Sequence, residues 1–206
     1  MNGFSTLSSR AAWLDEDDID TDAIYPARFL MVLERSGLEE HLFKDRRFRP
    51  DGTPDPDFIF NQPDYEDASI LVAGRNFGSG SSREHAVWAL RGHGIRCVIA
   101  QGFSEIFYAN CIRNGVLPII ATDEQAEAAL QDAKALETFC INLETREVSS
   151  ASATWTFDID DMDQQALQNG WDDSERILNL HRPDIERFET SHRASQPWLF
   201  LDETTS

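Results

Sequence analysis

Residues 69–100 read SILVAGRNFGSGSSREHAVWALRGHGIRCVIA, and the order of textures along this stretch decides the fold class. A short apolar run, residues 69–73, stops at Gly74. A Gly/Ser turn follows, residues 83–91 suit a helix, and residues 95–100 are strand-like again. That is a β-loop-α-β unit. Downstream, residues 104–114 predict a second helix ended by Gly115, and residues 116–121 predict a third strand. Strands that alternate with helices belong to a parallel or mixed sheet. Thr122 or Asp123 caps a further helix, in which Ala126, Ala129, Leu130, Ala133 and Leu136 recur at helical spacing and form a sheet-facing side. Residues 139–143, 147–148 and 154–159 read as shorter antiparallel strands, and residues 162–169 as a helix ending at Gly170.

Toward the N-terminus the signals weaken. Residues 14–29 carry an acidic run that ends in Asp20-Thr21-Asp22-Ala23-Ile24-Tyr25-Pro26, and Pro26 opposes a helix through that point, so a loop or short strand is expected. Over residues 29–43, Leu30, Leu33, Leu38 and Leu42 suggest short helical pieces broken near Gly37. Pro50, Pro54, Pro56 and Pro63, with Gly52, make residues 49–64 a candidate flexible loop. Beyond Gly170 the chain is acidic and weakly periodic. A length of 206 residues suits a single main domain, with a core over about 12–160 and a C-terminal helical extension over 161–206.

Composition narrows the function classes. The chain is 41% hydrophobic and 27% charged, with no apolar run near the roughly 18 residues of a membrane span, as a soluble globular protein would be. Residues 1–18 hold one arginine and no signal-peptide core, so a cytoplasmic location is expected. Cys97, Cys111 and Cys140 are an odd number at wide spacing, so neither a disulfide scaffold nor a metal cluster can be built from this chain alone. Cys97, inside an apolar run, reads as a buried inert thiol.

A net charge of −19, from 37 acidic and 18 basic residues, argues against nucleic acid and anionic membranes as partners. Residues 69–118 are an exception at net +3, with Arg75, Arg83, Arg91, Arg96 and Arg113 against Glu84 and Glu105. Such a patch focuses a small anion, although on charge alone arginines in surface pairs explain it as well.

The loop between the first two strands has chemistry of its own. Gly78 and Gly80 allow positive φ and close approach of a ligand to the backbone, and Ser81 or Ser82 can cap the helix that begins near Arg83. Amides at the helix start suit a carboxylate or phosphate, to which Arg83 adds a bidentate grip. The P-loop ending, the GxGxxG spacing and the GxSxG elbow are all missing. The pattern by itself leaves a small-anion site and a structural loop evenly matched.

Gly80-Ser81-Ser82-Arg83-Glu84-His85, preceded by Asn76-Phe77-Gly78, resembles the signature of the swivelling domain of the aconitase superfamily. Asp20-Thr21-Asp22-Ala23-Ile24 with Pro26-Ala27-Arg28-Phe29-Leu30 resembles that family's N-terminal motif, and FSEIFYANCIRNGVLP (residues 103–118) the segment after its second strand. His41-Leu42-Phe43, Arg47-Phe48, the proline-rich excursion and Asn169-Gly170 point to one branch of it, the small subunits of isopropylmalate dehydratases. The resemblance implies a three-layer β/β/α fold with a mostly parallel central sheet. It also implies a hydro-lyase that interconverts 2- and 3-isopropylmalate through an alkene diacid in leucine biosynthesis, with citramalate, dimethylmalate or homocitrate as the alternative substrates.

By position, the resemblance implies that Ser81, as an alkoxide, removes the proton from carbon. It implies that Ser82 and Arg83 hold a substrate carboxylate, and that Asp22 and Thr21 stand behind the site in supporting or proton-handling roles; an Asx turn before Pro26 is the plainer reading of Asp22. Arg28 either reaches the ligand or serves the partner interface, and His85 is structural support. No metal is expected on this chain: the four-iron four-sulfur cluster belongs on a large subunit, with which the chain forms a heterodimer or heterotetramer. Specificity is expected to depend on residues 29–33. Ser79 stands where some relatives carry cysteine, and the match is weaker over residues 158–178.

Overall fold

The computed structural model describes residues 3–31 and 37–200. Val32 and Leu33, the end of the segment expected to set specificity, lie outside the described residues. The sheet is organised around β1 (Thr6–Leu14), a strand that has no clear signature in the sequence. Its first half, Thr-Leu-Ser-Ser-Arg, is polar and largely accessible, and only Ala11, Ala12 and Leu14 are fully buried. β1 pairs in parallel with β2 (Ile70–Ala73) and antiparallel with β5 (Thr138–Asn142). β3 (Cys97–Ala100) and β4 (Leu117–Ile120) extend the parallel side, and β6 (Glu147–Ser149) and β7 (Thr154–Thr156) extend the antiparallel side. The resulting order is β4-β3-β2-β1-β5-β6-β7. The fold is therefore α/β, as expected, with a mixed sheet that is parallel over β4-β3-β2-β1 and antiparallel over β1-β5-β6-β7.

Burial on both faces explains the continuous apolar runs of β2 and β3. Leu71, Ala73, Val98 and Ala100 face one core cluster, together with Ala86 and Leu90 of α3 (Glu84–Gly92) and Phe107 of α4 (Glu105–Arg113). Ile70, Val72, Cys97 and Ile99 face the other, against Ala126, Ala129 and Ala133 of α5 (Asp123–Lys134). Each buried Leu, Ile or Val contributes about 1.5–3 kcal/mol. Pro118 is tolerated because β4 is an edge strand, where a missing N–H breaks no interior ladder.

Ser104 caps α4, and Thr122, rather than Asp123, caps α5 in a reciprocal box with Gln125. Two segments differ from expectation. The acidic run holds one helical turn, α1 (Thr21–Ile24), capped by the Asp20 carboxylate. It stops at Tyr25, which is extended because it precedes Pro26. The proline-rich excursion follows a second single turn, α2 (Lys44–Arg47), and is anchored rather than loose. Ile59, Phe60 and Tyr65 are buried, and the Asn61 amide donates to the carbonyls of Arg47 at 2.6 Å and Asp55 at 2.8 Å.

The first compact unit runs to Gly170, with α6 (Asp161–Asn169) as its last helix. The second begins at Trp171 and contains α7 (Asp173–Ser195), which carries Pro183 within it, and a 3-10 turn at Pro197–Leu199. No residue of α7 is buried, consistent with its weak periodicity. Among the described residues, no helix is long and apolar enough to cross a membrane.

Two loops, β1 to α1 and β2 to α3, leave the C-terminal ends of neighbouring parallel strands and therefore meet at one edge of the sheet. Gly78 is the tightest point of the second loop. Its φ is +73°, and a Cβ there would lie 2.1 Å from the buried Phe107 ring. Replacement Gly78→Ala is expected to cost about 2–5 kcal/mol, combining backbone strain with overpacking. Thermal unfolding should detect this as a drop of about 5–20 °C; an unchanged midpoint would show that the ring yields.

Candidate active site

The β2–α3 loop is laced to the acidic segment ahead of α1 by hydrogen bonds across nearly sixty residues of sequence. Asp18 N donates to Arg75 O at 2.9 Å, Gly78 N to Ile19 O at 2.8 Å and Thr21 N to Ser79 O at 2.9 Å. Side chains reinforce the seam: the Asp17 carboxylate accepts from Arg75 N at 2.7 Å and the Asp18 carboxylate from the Asn76 amide at 2.7 Å. From the other side, Phe77 N donates to Gly102 O at 2.9 Å and Ser104 Oγ to Gly78 O at 2.6 Å. The loop is held on both flanks, so its tip is presented in one conformation.

Ser81 and Ser82 occupy that tip and are exposed. Neither caps α3, contrary to the sequence reading. Arg83 takes the N-cap position with extended dihedrals and no side-chain cap, because α3 begins at Glu84 and both serines precede the cap position. The first-turn amides of α3 are thus left without a side-chain oxygen from the cap residue, which keeps the helix start suited to an outside anion. The Ser81 carbonyl is fixed twice, accepting from Thr21 Oγ1 at 2.9 Å and from Arg83 N at 2.8 Å. Thr21 is buried, at 2% exposure, so this hydroxyl is a specific internal bond and not a surface contact.

Arg83 is mostly buried, with 17% of its side chain exposed, and pairs through Nη1 with Asp22 Oδ1. The same Asp22 oxygen accepts from Ala27 N at 2.8 Å. These contacts hold the Asp22 carboxyl below the usual aspartate range, the Ala27 amide contributing most and Arg83 next. Arg28 differs in kind. Both of its terminal nitrogens go to Asp45, with Nη1 to Oδ2 at 2.8 Å, and its guanidinium lies 4.6 Å from the centre of the Phe29 ring. The structure therefore brings Thr21, Asp22, Ser81, Ser82 and Arg83 together and leaves Arg28 in an exposed ion pair beside them. The His85 ring packs against Tyr25 and Trp88, at 5.6 and 4.7 Å between centroids.

Residues 1–124 match the aconitase C-terminal domain family, and residues 180–202 match the family of C-terminal domains found in the small subunit of 3-isopropylmalate dehydratase. Small subunits of 3-isopropylmalate dehydratase from Agrobacterium fabrum and a Jannaschia species are each 44% identical, covering 96% and 97% of this chain and all of theirs. The chain belongs to the 3-isopropylmalate dehydratase small-subunit family. A crystal structure of 3-isopropylmalate dehydratase from Methanocaldococcus jannaschii superposes with a TM-score of 0.66 at 28% identity, covering 88% of this chain and 99% of that one. The match over residues 180–202 shows that the family resemblance extends past the divergent acidic stretch.

Among the described residues no group of three or more His, Cys, Asp or Glu side chains is arranged to hold a metal. Cys97 and Cys111 are buried, and burial pushes both thiols up, away from the thiolate form that ligates metal. Cys140 is exposed on β5. Two partners went unread in the sequence. Asp45, which claims Arg28, has only its place beside His41-Leu42-Phe43 as a signal. Asn114, which binds Glu84, sits within residues 103–118 with nothing local to mark it.

The depressed Asp22 carboxyl has a definite pH signature. A group whose folded value lies below its unfolded value of about 3.9 adds stability above that pH and loses it as the pH falls through the folded value. Carbon-detected carboxyl titration should give Asp22 a midpoint below that of free aspartate. Replacement Arg83→Gln should raise it only partway, because the larger Ala27 contribution remains; a complete return would assign the shift to Arg83 alone.

Proposed function

We propose that the chain acts in the cytoplasm as the small subunit of 3-isopropylmalate dehydratase, interconverting 2- and 3-isopropylmalate through 2-isopropylmaleate in leucine biosynthesis. The observation that carries this reading is the pair of exposed serines, Ser81 and Ser82, beside the mostly buried Arg83 at an uncapped helix start, in a chain 44% identical to such subunits over nearly its full length. Ser81 Oγ takes the proton from the substrate carbon as the hydroxyl departs from its neighbour, and returns it when water adds to the alkene. A serine hydroxyl is a weak base, so its anion needs compensating dipoles and charge; the α3 amides and the Arg83 guanidinium are the groups at hand.

Arg83 and Ser82 hold a substrate carboxylate. Thr21 fixes the Ser81 peptide and Asp22 orients Arg83, so both act through the groups that touch the ligand. Arg28 contributes only after Asp45 gives way, or serves the partner contact instead. Because Ser81 and Ser82 are exposed, a ligand bound there keeps one side open, and the missing wall belongs to a large subunit in a heterodimer or heterotetramer. That larger partner also carries the four-iron four-sulfur cluster, for which no metal-binding group stands among the described residues of this chain.

The test is reconstitution with the large subunit, following 2-isopropylmaleate by its absorbance. Ser81→Ala should assemble normally and lose about 10²–10⁴-fold in kcat, the range for removal of a general base. Full activity of that complex would remove Ser81 from its assigned role. A panel of citramalate, dimethylmalate and homocitrate should give kcat/KM values well below that for isopropylmalate, and preference for one of them would reassign the substrate.

A further inference from the structure

The proposed anion site has an internal competitor. Glu84 is the one acidic residue in the first turn of α3 and follows Arg83 directly. Carboxylates are drawn to helix starts by the free amides and the dipole. A Glu84 side chain turned toward the helix start would occupy the amides and oppose the charge that a substrate carboxylate needs there.

The structure turns it the other way. Glu84 Oε1 accepts from the Asn114 side-chain amide at 2.8 Å, thirty residues along the chain at the C-cap of α4. Asn114 is buried, at 7% exposure, and its side chain is fully committed. Its Nδ2 also donates to Asn110 O at 2.9 Å, and its Oδ1 accepts from Trp88 Nε1 at 2.9 Å. The orientation of this amide is thereby fixed. Flipping it would set its oxygen against the Glu84 carboxylate and the Asn110 carbonyl, and its NH2 against the Trp88 N–H. Arg91 adds a bond to the Asn114 carbonyl, so residues 84, 88 and 91 of α3 all meet this single asparagine.

We propose that Asn114 is a positioning residue for the anion site, holding the Glu84 carboxylate at the α3–α4 seam and so keeping the helix start and Arg83 open to substrate. This rests on the reading of the Ser81-Ser82-Arg83 face as the substrate site. It assigns Asn114 an effect on substrate affinity more than on turnover, since neither Ser81 nor its bonds are disturbed.

The experiment uses the enzyme reconstituted with its large subunit and isopropylmalate as the probe. Asn114→Ala is expected to raise KM about tenfold with kcat within threefold. Glu84→Gln alone should leave both near wild type, because its amide oxygen still accepts from Asn114 and the charge is gone. The decisive arm is Asn114→Ala with Glu84→Gln, which should return KM to within about threefold of wild type. An unaltered KM in Asn114→Ala, or a double variant as impaired as Asn114→Ala alone, would overturn the proposal and leave Asn114 a packing residue. If Asn114→Ala does not fold, Asn114→Ser, which keeps a hydroxyl near Trp88, takes its place in the same pair of measurements. Ser81→Ala and Arg83→Gln run alongside. If both retain full activity and affinity, the site reading itself fails, whatever Asn114 does.

Discussion

The site depends on one constraint: the lacing of residues 17–21 to residues 75–79. Three amide–carbonyl bonds and two carboxylate contacts cross this seam, all within 2.7–2.9 Å. A net backbone hydrogen bond contributes only about 0.5–1.5 kcal/mol, so no single one decides the loop's shape. Together with the bonds from Gly102 and Ser104 on the opposite flank, they leave the loop no alternative partner set. Ser81 then inherits its position from its neighbours, and Thr21 completes the restraint from inside the protein.

That seam exists because β1 and β2 are parallel neighbours. Residues Ala11 to Leu14 pair in register with Ile70 to Ala73, so the chain leaves both strands at the same edge and at the same height. β1 is also the strand on which the antiparallel half of the sheet is hung. It joins the two halves and aims one of the two site loops. Shifting its register by one residue would turn Ala12 and Leu14 into the opposite core cluster and pull the acidic segment out of line with the Gly/Ser loop.

How much of this was legible follows from where the information lies. The parallel units were readable because β2 and β3 are buried on both faces and must be apolar throughout, and because Gly74 and Gly115 punctuate them. β1 was not, since its first half is polar and accessible and is held as strand by β5, more than 120 residues away, while only its short second half is buried beside β2. The one-turn helix α1 was hidden by Pro26, which ends it but does not forbid a turn before it. Ser81 and Arg83 were legible only as a motif. Of their restraints, Thr21 and Asp22 were legible through the N-terminal motif, whereas Asn114 is a tertiary fact that no local pattern carries, and the expected serine cap failed because α3 begins at Glu84, past both serines.

The two arginines near the site are not equivalent. A guanidinium has five donors, so a ligand carboxylate can share an arginine with a protein carboxylate if the latter takes only one side. Asp22 meets Arg83 through Nη1, in a mostly buried pair that also engages the Ala27 amide, and this arrangement orients the arginine without closing it. Asp45 meets Arg28 through both terminal nitrogens, in a pair that is more than half exposed on each side. A ligand carboxylate that used the Arg28 fork would first have to displace Asp45, whereas at Arg83 the protein carboxylate engages only Nη1. In the proposed site this difference favours Arg83 over Arg28 as the carboxylate grip, with Arg28 taking part only where a partner surface or a ligand offers Asp45 something in exchange.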